Sequence, residues 1–293
     1  MTEQFARDVN GIDLCYETFG EPWREPLLLI MGLGAPLTWW DAAFCELLAD
    51  RGFYVVRFDN RDVGRSTWLD GRADLRLALL LRRSPYALDD LAADAAGLLD
   101  HLGLAQAHVV GTSMGGMIAQ LLAIRYPQRV RSLTSIMSTT GHKFVGRPSL
   151  TGWQALLSGA PADRESYLDH QVRTSTRLRS PGYPIEEERV RARAAMSFDR
   201  GLNAAGRARH LAAILATADR TPKLRELRLP VTVIHGTDDH LVNVSGGLAT
   251  ARAVPGAELH VINGLGHELP PALWSRFADF IEHTAQRPAA VAA

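Results

Sequence analysis

The 293-residue chain predicts an α/β architecture, a mostly parallel sheet covered by helices on both faces. Three observations carry that reading. Continuous apolar runs stop at glycine or aspartate, as strands buried on both faces do. Helical apolar spacing recurs between those runs. The alternation breaks once, between Gly141 and Thr221, where no buried strand is found. The expected organisation is one α/β core, residues 1–140 and 222–293, with the helical segment 141–221 inserted into it.

Each element follows from local pattern. Ile12–Phe19 alternates as an early antiparallel strand, closed by Gly20 and Pro22. Leu27–Met31 is the first continuous apolar run and stops at Gly32 and Gly34. A helix from Trp40 to Ala49 separates it from a second buried strand, Tyr54–Phe58. In Asp89–Leu102 the residues Leu91, Ala95, Leu98, Leu99 and Leu102 fall on one helical face. The short strand His108–Gly111 runs into a helix, Met114–Tyr126, that Pro127 closes, and Val130–Met137 is the next strand. Pro148, Pro161, Pro181 and Pro184 punctuate the insertion. Val231–His235 then restores the rhythm, followed by a helix at Val244–Ala253, a strand at Glu258–Ile262 and a final helix at Pro271–Thr284. Gln286–Ala293 reads as a frayed tail.

Composition narrows the function classes. Lys+Arg and Asp+Glu balance at 32 each, and no basic stripe interleaves with aromatics, so no nucleic-acid partner is expected. The run Leu27–Leu33 is too short to span a bilayer. The N-terminal residues lack a basic-then-apolar leader, and the expected location is cytoplasmic. Cys15 and Cys45 have no CxxC or metal-type partner and read as reduced core residues.

The chemistry is carried by Gly111-Thr112-Ser113-Met114-Gly115, a GxSxG between a short apolar strand and a helix. That context is the nucleophile elbow, where side chains at the two glycines would collide with neighbouring backbone. A serine hydroxyl needs a base to take its proton and an acid to orient the base, in the chain order Ser, acid, His. After the Val231–His235 strand stand two adjacent acids, Asp238 and Asp239. Between the last strand and the final helix His267 is the one histidine, in Gly264-Leu265-Gly266-His267. An oxyanion hole needs two backbone N–H groups, one directly after the nucleophile, at Met114, and one after the Leu27–Met31 strand.

These motifs resemble the α/β-hydrolase superfamily. Its usual Gly-x-x-Asp aligns with Gly236–Asp239 and points to Asp239 as the acid, leaving Asp238 as a turn former. Its Gly-x-Gly-His loop matches His267. Alignment of the loop after the first buried strand makes the N–H of Leu33 the second oxyanion donor, although Met31-Gly32 replaces the common His-Gly. The Asp59–Ser66 loop has Asp62 where most relatives carry glycine. That substitution, Met-Gly, and the Gly-x-Gly-His-x-Leu-Pro ending are similar to the aclacinomycin methylesterase group. The resemblance implies a serine esterase of small-molecule esters, with a methyl ester of a bulky acid as substrate, a helical cap at 141–221, and no metal or cofactor. A cofactor-free perhydrolase with the same triad and a slow-turnover ligand receptor are the alternatives. Ser at 113 argues against dehalogenase and epoxide hydrolase chemistry, which needs a carboxylate there.

Several residues carry a second reading. His235, His240 and His260 read as structural, and His142 and His210 as packing or surface residues bordering the insertion. The insertion's arginines, Arg173, Arg191, Arg193, Arg207 and Arg209 among them, read as a solvated face partly paired with Glu186, Glu187 and Glu188. One of them meeting an acidic substrate group is the sharper alternative. Trp39, Trp40, Trp153 and Phe198 read as core before pocket.

Overall fold

Two strands, rather than the one expected, open the chain. The computed structural model, which describes residues 2–288, pairs β1 (Gln4–Val9) antiparallel with β2 (Ile12–Phe19). Asn10 and Gly11, at φ 52° and 79°, make the two-residue turn between them. Asn-Gly is the pair best suited to that conformation. Next come β3 (Glu25–Ile30), α1 (Ala42–Asp50), β4 (Phe53–Phe58), α2 (Leu75–Leu81), α3 (Leu88–His101), β5 (Ala107–Thr112), α4 (Met114–Arg125) and β6 (Val130–Ile136). Apolar periodicity gives no sign of helix α2. Asp74 caps it by accepting from the N–H groups of Arg76 and Leu77, but Leu79, Leu80 and Leu81 stay exposed, so it lacks an amphipathic signature. The inserted stretch holds α5 (Leu150–Leu157), α6 (Arg164–Leu178), α7 (Glu187–Asp199) and α8 (Ala204–Ala216), and the short α9 (Thr221–Leu224) begins where it ends. The chain ends with β7 (Val231–Gly236), α10 (Ser245–Ala253), β8 (Glu258–Ile262) and α11 (Trp274–Gln286).

The eight strands of the described residues form one sheet in the order β1-β2-β4-β3-β5-β6-β7-β8. β2 meets β4 antiparallel; from β4 to β8 every pairing is parallel. Strand alternation splits the core in two. Leu27, Leu29, Val55 and Val110 join Phe44 and Leu48 of α1 and Phe277 and Ile281 of α11. Leu28, Ile30, Val56 and Val109 join Leu91 and Leu98 of α3 and Ile118 of α4. Each such side chain contributes about 2 kcal/mol of burial. Parallel strands place all their C-terminal ends on one edge, and the paired rows Thr112–Ile136 and Gly236–Ile262 mark it.

The C-terminal helix runs further than expected. Gln286 closes α11, and Arg287 donates to the carbonyls of Val231 at 3.1 Å and Gly256 at 2.6 Å, so the supposed tail is anchored at its start. The rest of that tail, residues 289–293, lies outside the described residues. Both cysteines are buried and unpaired, and burial pushes their thiols up to about 11 for Cys15 and about 12 for Cys45. Among the described residues no helix is long and apolar enough to cross a membrane.

Candidate active site

Ser113 sits between β5 and α4 at φ 54°, ψ −120°, a region that non-glycine residues rarely occupy. The sharp turn is held from several sides. Ser113 N–H donates to Ile136, and its carbonyl accepts from the Gly116 N–H and the Ser138 hydroxyl. The flanking glycines are required by close approach: a Cβ on Gly111 would lie 2.2 Å from the Gly115 carbonyl oxygen, and one on Gly115 2.1 Å from that of Ile30. The strain projects a half-buried hydroxyl over the sheet edge.

Asp239 and His267 reach the same edge from β7 and β8. His267 Nδ1 lies 2.7 Å from Asp239 Oδ2, which leaves Nε2 as the nitrogen free to exchange a proton. Asp239 is buried and its Oδ1 accepts from the Leu241 and Val242 N–H groups at 2.9 and 2.8 Å. Burial would raise its pKa, but the charge of His267 and hydrogen bonding from His235 and His267 outweigh that and hold it well below the carboxylate range. Asp238, by contrast, accepts from the Thr237 hydroxyl at the surface. Of the two adjacent acids the structure brings Asp239 to the histidine.

The loop after β3 packs against the serine. A Cβ on Gly32 would be 3.2 Å from Ser113 Cβ and 3.7 Å from its Oγ. Among the described residues neither the Leu33 nor the Met114 N–H donates to another protein group. The next N–H along, that of Gly34, donates to His210 Nδ1 at 3.2 Å, and His210 Nε2 then donates to the Arg61 carbonyl at 2.9 Å. His210 is fully buried, and burial depresses its pKa to about 4, so it is the neutral imidazole with both nitrogens used.

The family model for the α/β hydrolase fold matches residues 25–270. This chain belongs to the α/β-hydrolase family. It is 30% identical to the rhodomycin D methylesterase of Streptomyces peucetius over 90% of this chain and 92% of that one. It is 31% identical to 3-oxoadipate enol-lactonase 2 of Acinetobacter baylyi over 86% of each. Among solved structures, the meta-cleavage product hydrolase of Pseudomonas fluorescens superposes with a TM-score of 0.73 at 19% identity, covering 94% of this chain and 95% of its own.

In this α/β hydrolase several loops of the site, though not the Ser113 elbow, are tied to the inserted helices. Ser149, which caps α5, donates its N–H to the His240 carbonyl beside Asp239. Ser180, just beyond α6, donates its N–H to Glu268 and accepts from the Gly266 N–H on either side of His267. Asp59 accepts from Leu37 and Arg65 N–H groups and pairs with Arg200, both side chains buried. Asp62 stands at φ 68°, in the left-handed region that favours glycine and that aspartate also visits. Its buried carboxylate takes Arg209 by both oxygens at 2.8 and 2.6 Å, the Tyr86 hydroxyl at 2.7 Å and the Leu69 N–H at 2.7 Å.

That network corrects the reading of the insertion's arginines. Arg209 is 2% exposed, not solvated, and its partner is Asp62 rather than a neighbouring glutamate. Arg193 lies over the Trp39 ring at 4.3 Å. Arg191 does pair with Glu187, at 3.3 Å. Trp40 is wholly buried core, Phe198 packs on Tyr167 at 5.7 Å, and Trp153 is exposed. His260 stacks on Phe280, and His235, fully buried, bonds the Val242 carbonyl while approaching Asp239 at 3.4 Å. His210, Asp62 and His235 therefore support the site in ways that local sequence does not disclose. A cavity of about 540 Å³ beside Pro181 and Tyr183, between α6 and α7, includes none of Ser113, Asp239 or His267.

Proposed function

We propose that this chain hydrolyses a carboxylic ester through an acyl-enzyme on Ser113, with His267 as base and Asp239 as the acid that orients it. The observation carrying the reading is the Asp239–His267 pair at the same sheet edge as a serine held at φ 54°. Ser113 Oγ attacks the ester carbonyl as its proton passes to His267 Nε2. The Leu33 and Met114 N–H groups, uncommitted within the protein, hold the oxyanion. Collapse expels the alcohol, which takes the proton from His267, and water then repeats the sequence to release the acid. Asp239 stays ionised throughout, which fits its depressed pKa.

Residues 141–221 act as a cap, and the cleft between cap and sheet holds the substrate. Support comes from the hydrogen bonds that tie α5, α6 and α8 to the loops of the site. The similarity to a rhodomycin D methylesterase favours a methyl ester of a bulky acid. The test is steady-state turnover of a p-nitrophenyl ester alongside methyl esters of increasing acyl size. Many turnovers by the natural protein and none by Ser113→Ala support the reading; a single turnover per chain favours a ligand receptor. Faster peracid formation from peroxide than hydrolysis favours a perhydrolase.

A further inference from the structure

Arg207 differs from the arginines on either side of it. Arg200 pairs with Asp59 and Arg209 with Asp62, whereas among the described residues no carboxylate pairs with Arg207. It is half-buried, and burial pulls its guanidinium below the ordinary value, with Tyr167 alone acting the other way. A guanidinium taken partly out of water without an anion is unfavourable, so its retention calls for a partner.

Its place in the fold says where that partner comes from. The Arg207 stem lies on the loop after β3, its Cγ, Cβ and Cδ 3.1–3.4 Å from where a Cβ on Gly34 would be. That is the residue after Leu33, in the loop whose Gly32 abuts Ser113. The tip reaches the Ala155 carbonyl of α5 at 3.5 Å, and α5 is anchored to His240 beside Asp239. Arg207 thus bridges the loop beside Ser113 and the last turn of α5. Other cations act on the same neighbour, His170: burial, then the charges of Arg173, Arg207 and Arg177, lower its pKa. Two core acids that face the insertion are committed elsewhere, Glu268 to the Ser180 N–H and Asp41 to Arg189.

We propose that Arg207 is the anion-binding residue of this cleft, and that the ester cleaved here also bears a free carboxylate. The planar fork of a guanidinium matches a carboxylate with two parallel hydrogen bonds. The inference rests on the ester hydrolase reading and names the substrate class for that site. Its rival is purely structural: Arg207 bonding a carbonyl in the last turn of α5.

The experiment compares matched esters with and without the charge. Binding of monomethyl glutarate and of neutral methyl pentanoate is measured by calorimetry to the Ser113→Ala protein, which leaves the ester intact. A carboxylate placed on the alcohol side, as in O-acetyl-4-hydroxybutyrate against butyl acetate, covers the other orientation. The same pairs are compared by kcat/KM in the natural enzyme. The expected result is a preference for the carboxylate member of at least one pair of about tenfold or more, weakening with added salt. The preference falls to about one in Arg207→Met and is partly kept in Arg207→Lys. Equal binding in both pairs overturns the proposal, as does a preference that survives Arg207→Met. Should Arg207→Met not fold, the natural protein's preference and its loss in Arg207→Gln decide the matter. Equal turnover of charged and neutral esters leaves the hydrolase standing and removes Arg207. Arg207-dependent binding with no turnover of any ester does the reverse.

Discussion

The sheet edge and the inserted helices solve the same problem, holding polar groups near a reaction centre, by opposite means. At the edge, backbone does the holding: Ser113 is fixed by peptide hydrogen bonds and Asp239 by two N–H groups. In the insertion, side chains do it: Arg200 on Asp59, Arg209 on Asp62, and neutral His210 between the Gly34 and Arg61 peptides. Backbone placement tolerates little variation and suits the reacting atoms. A buried side-chain pair depends on both partners, since removing one strands the charge of the other.

The largest effect expected is on the edge. Ser113→Ala should lower ester turnover by about 10⁴-fold or more while the protein still folds, checked by kcat and by circular dichroism. Turnover near the natural rate would place the nucleophile elsewhere. Asp239→Asn should lower kcat by about 10³- to 10⁴-fold through a wrongly held imidazole, and Asp238→Asn by less than about threefold. The reverse ranking would move the acid by one residue.

Effects on the insertion should appear as stability. Arg209→Met strands the buried Asp62 charge and should lower the unfolding free energy by about 3–5 kcal/mol in a denaturant titration. Adding Asp62→Asn to that variant should restore part of the loss, because no charge is then left unpaired. Strict additivity of the two changes would show that the pair is not coupled.

A smaller effect separates the regions by pH. His108, bonded to Ser132 in the core, and His210 in the insertion are both depressed to about 4 by burial. The unfolded chain, titrating near 6.5, therefore binds more protons than the native one between these values. Stability is full above pH 6.5 and falls as pH drops toward 4, by on the order of 3 kcal/mol for each histidine. Replacing His210 with Gln should flatten the slope of the unfolding midpoint against pH over this window. An unchanged slope would mean His210 carries a proton in the native state.

Much of the edge is legible along the chain. Ser113 and His267 stand in glycine-bounded loops whose chemistry is local, and Asp239 lies a fixed distance past a continuous apolar strand. The β1–β2 hairpin is also signalled, through Asn10-Gly11, but its polar first strand masks it. Helix α2 escapes because its leucines face outward, and the start of the supposed tail because Arg287 is held by carbonyls of other elements.

The sequence by itself determined the strand–helix alternation, the elbow and the order of the three polar residues. These depend on hydrophobic period and on backbone geometry within a few residues. Only the tertiary structure decided which arginine meets which aspartate. Arg209 and Asp62 are 147 residues apart, and nothing in either neighbourhood encodes the other. For Asp239 over Asp238 the sequence had only the resemblance of Gly236–Asp239 to a family run, and the fold adds that Asp239 is the one bonded to His267. Short-range sterics can be read along the chain, whereas the pairing of buried charges depends on which surfaces the finished fold presses together.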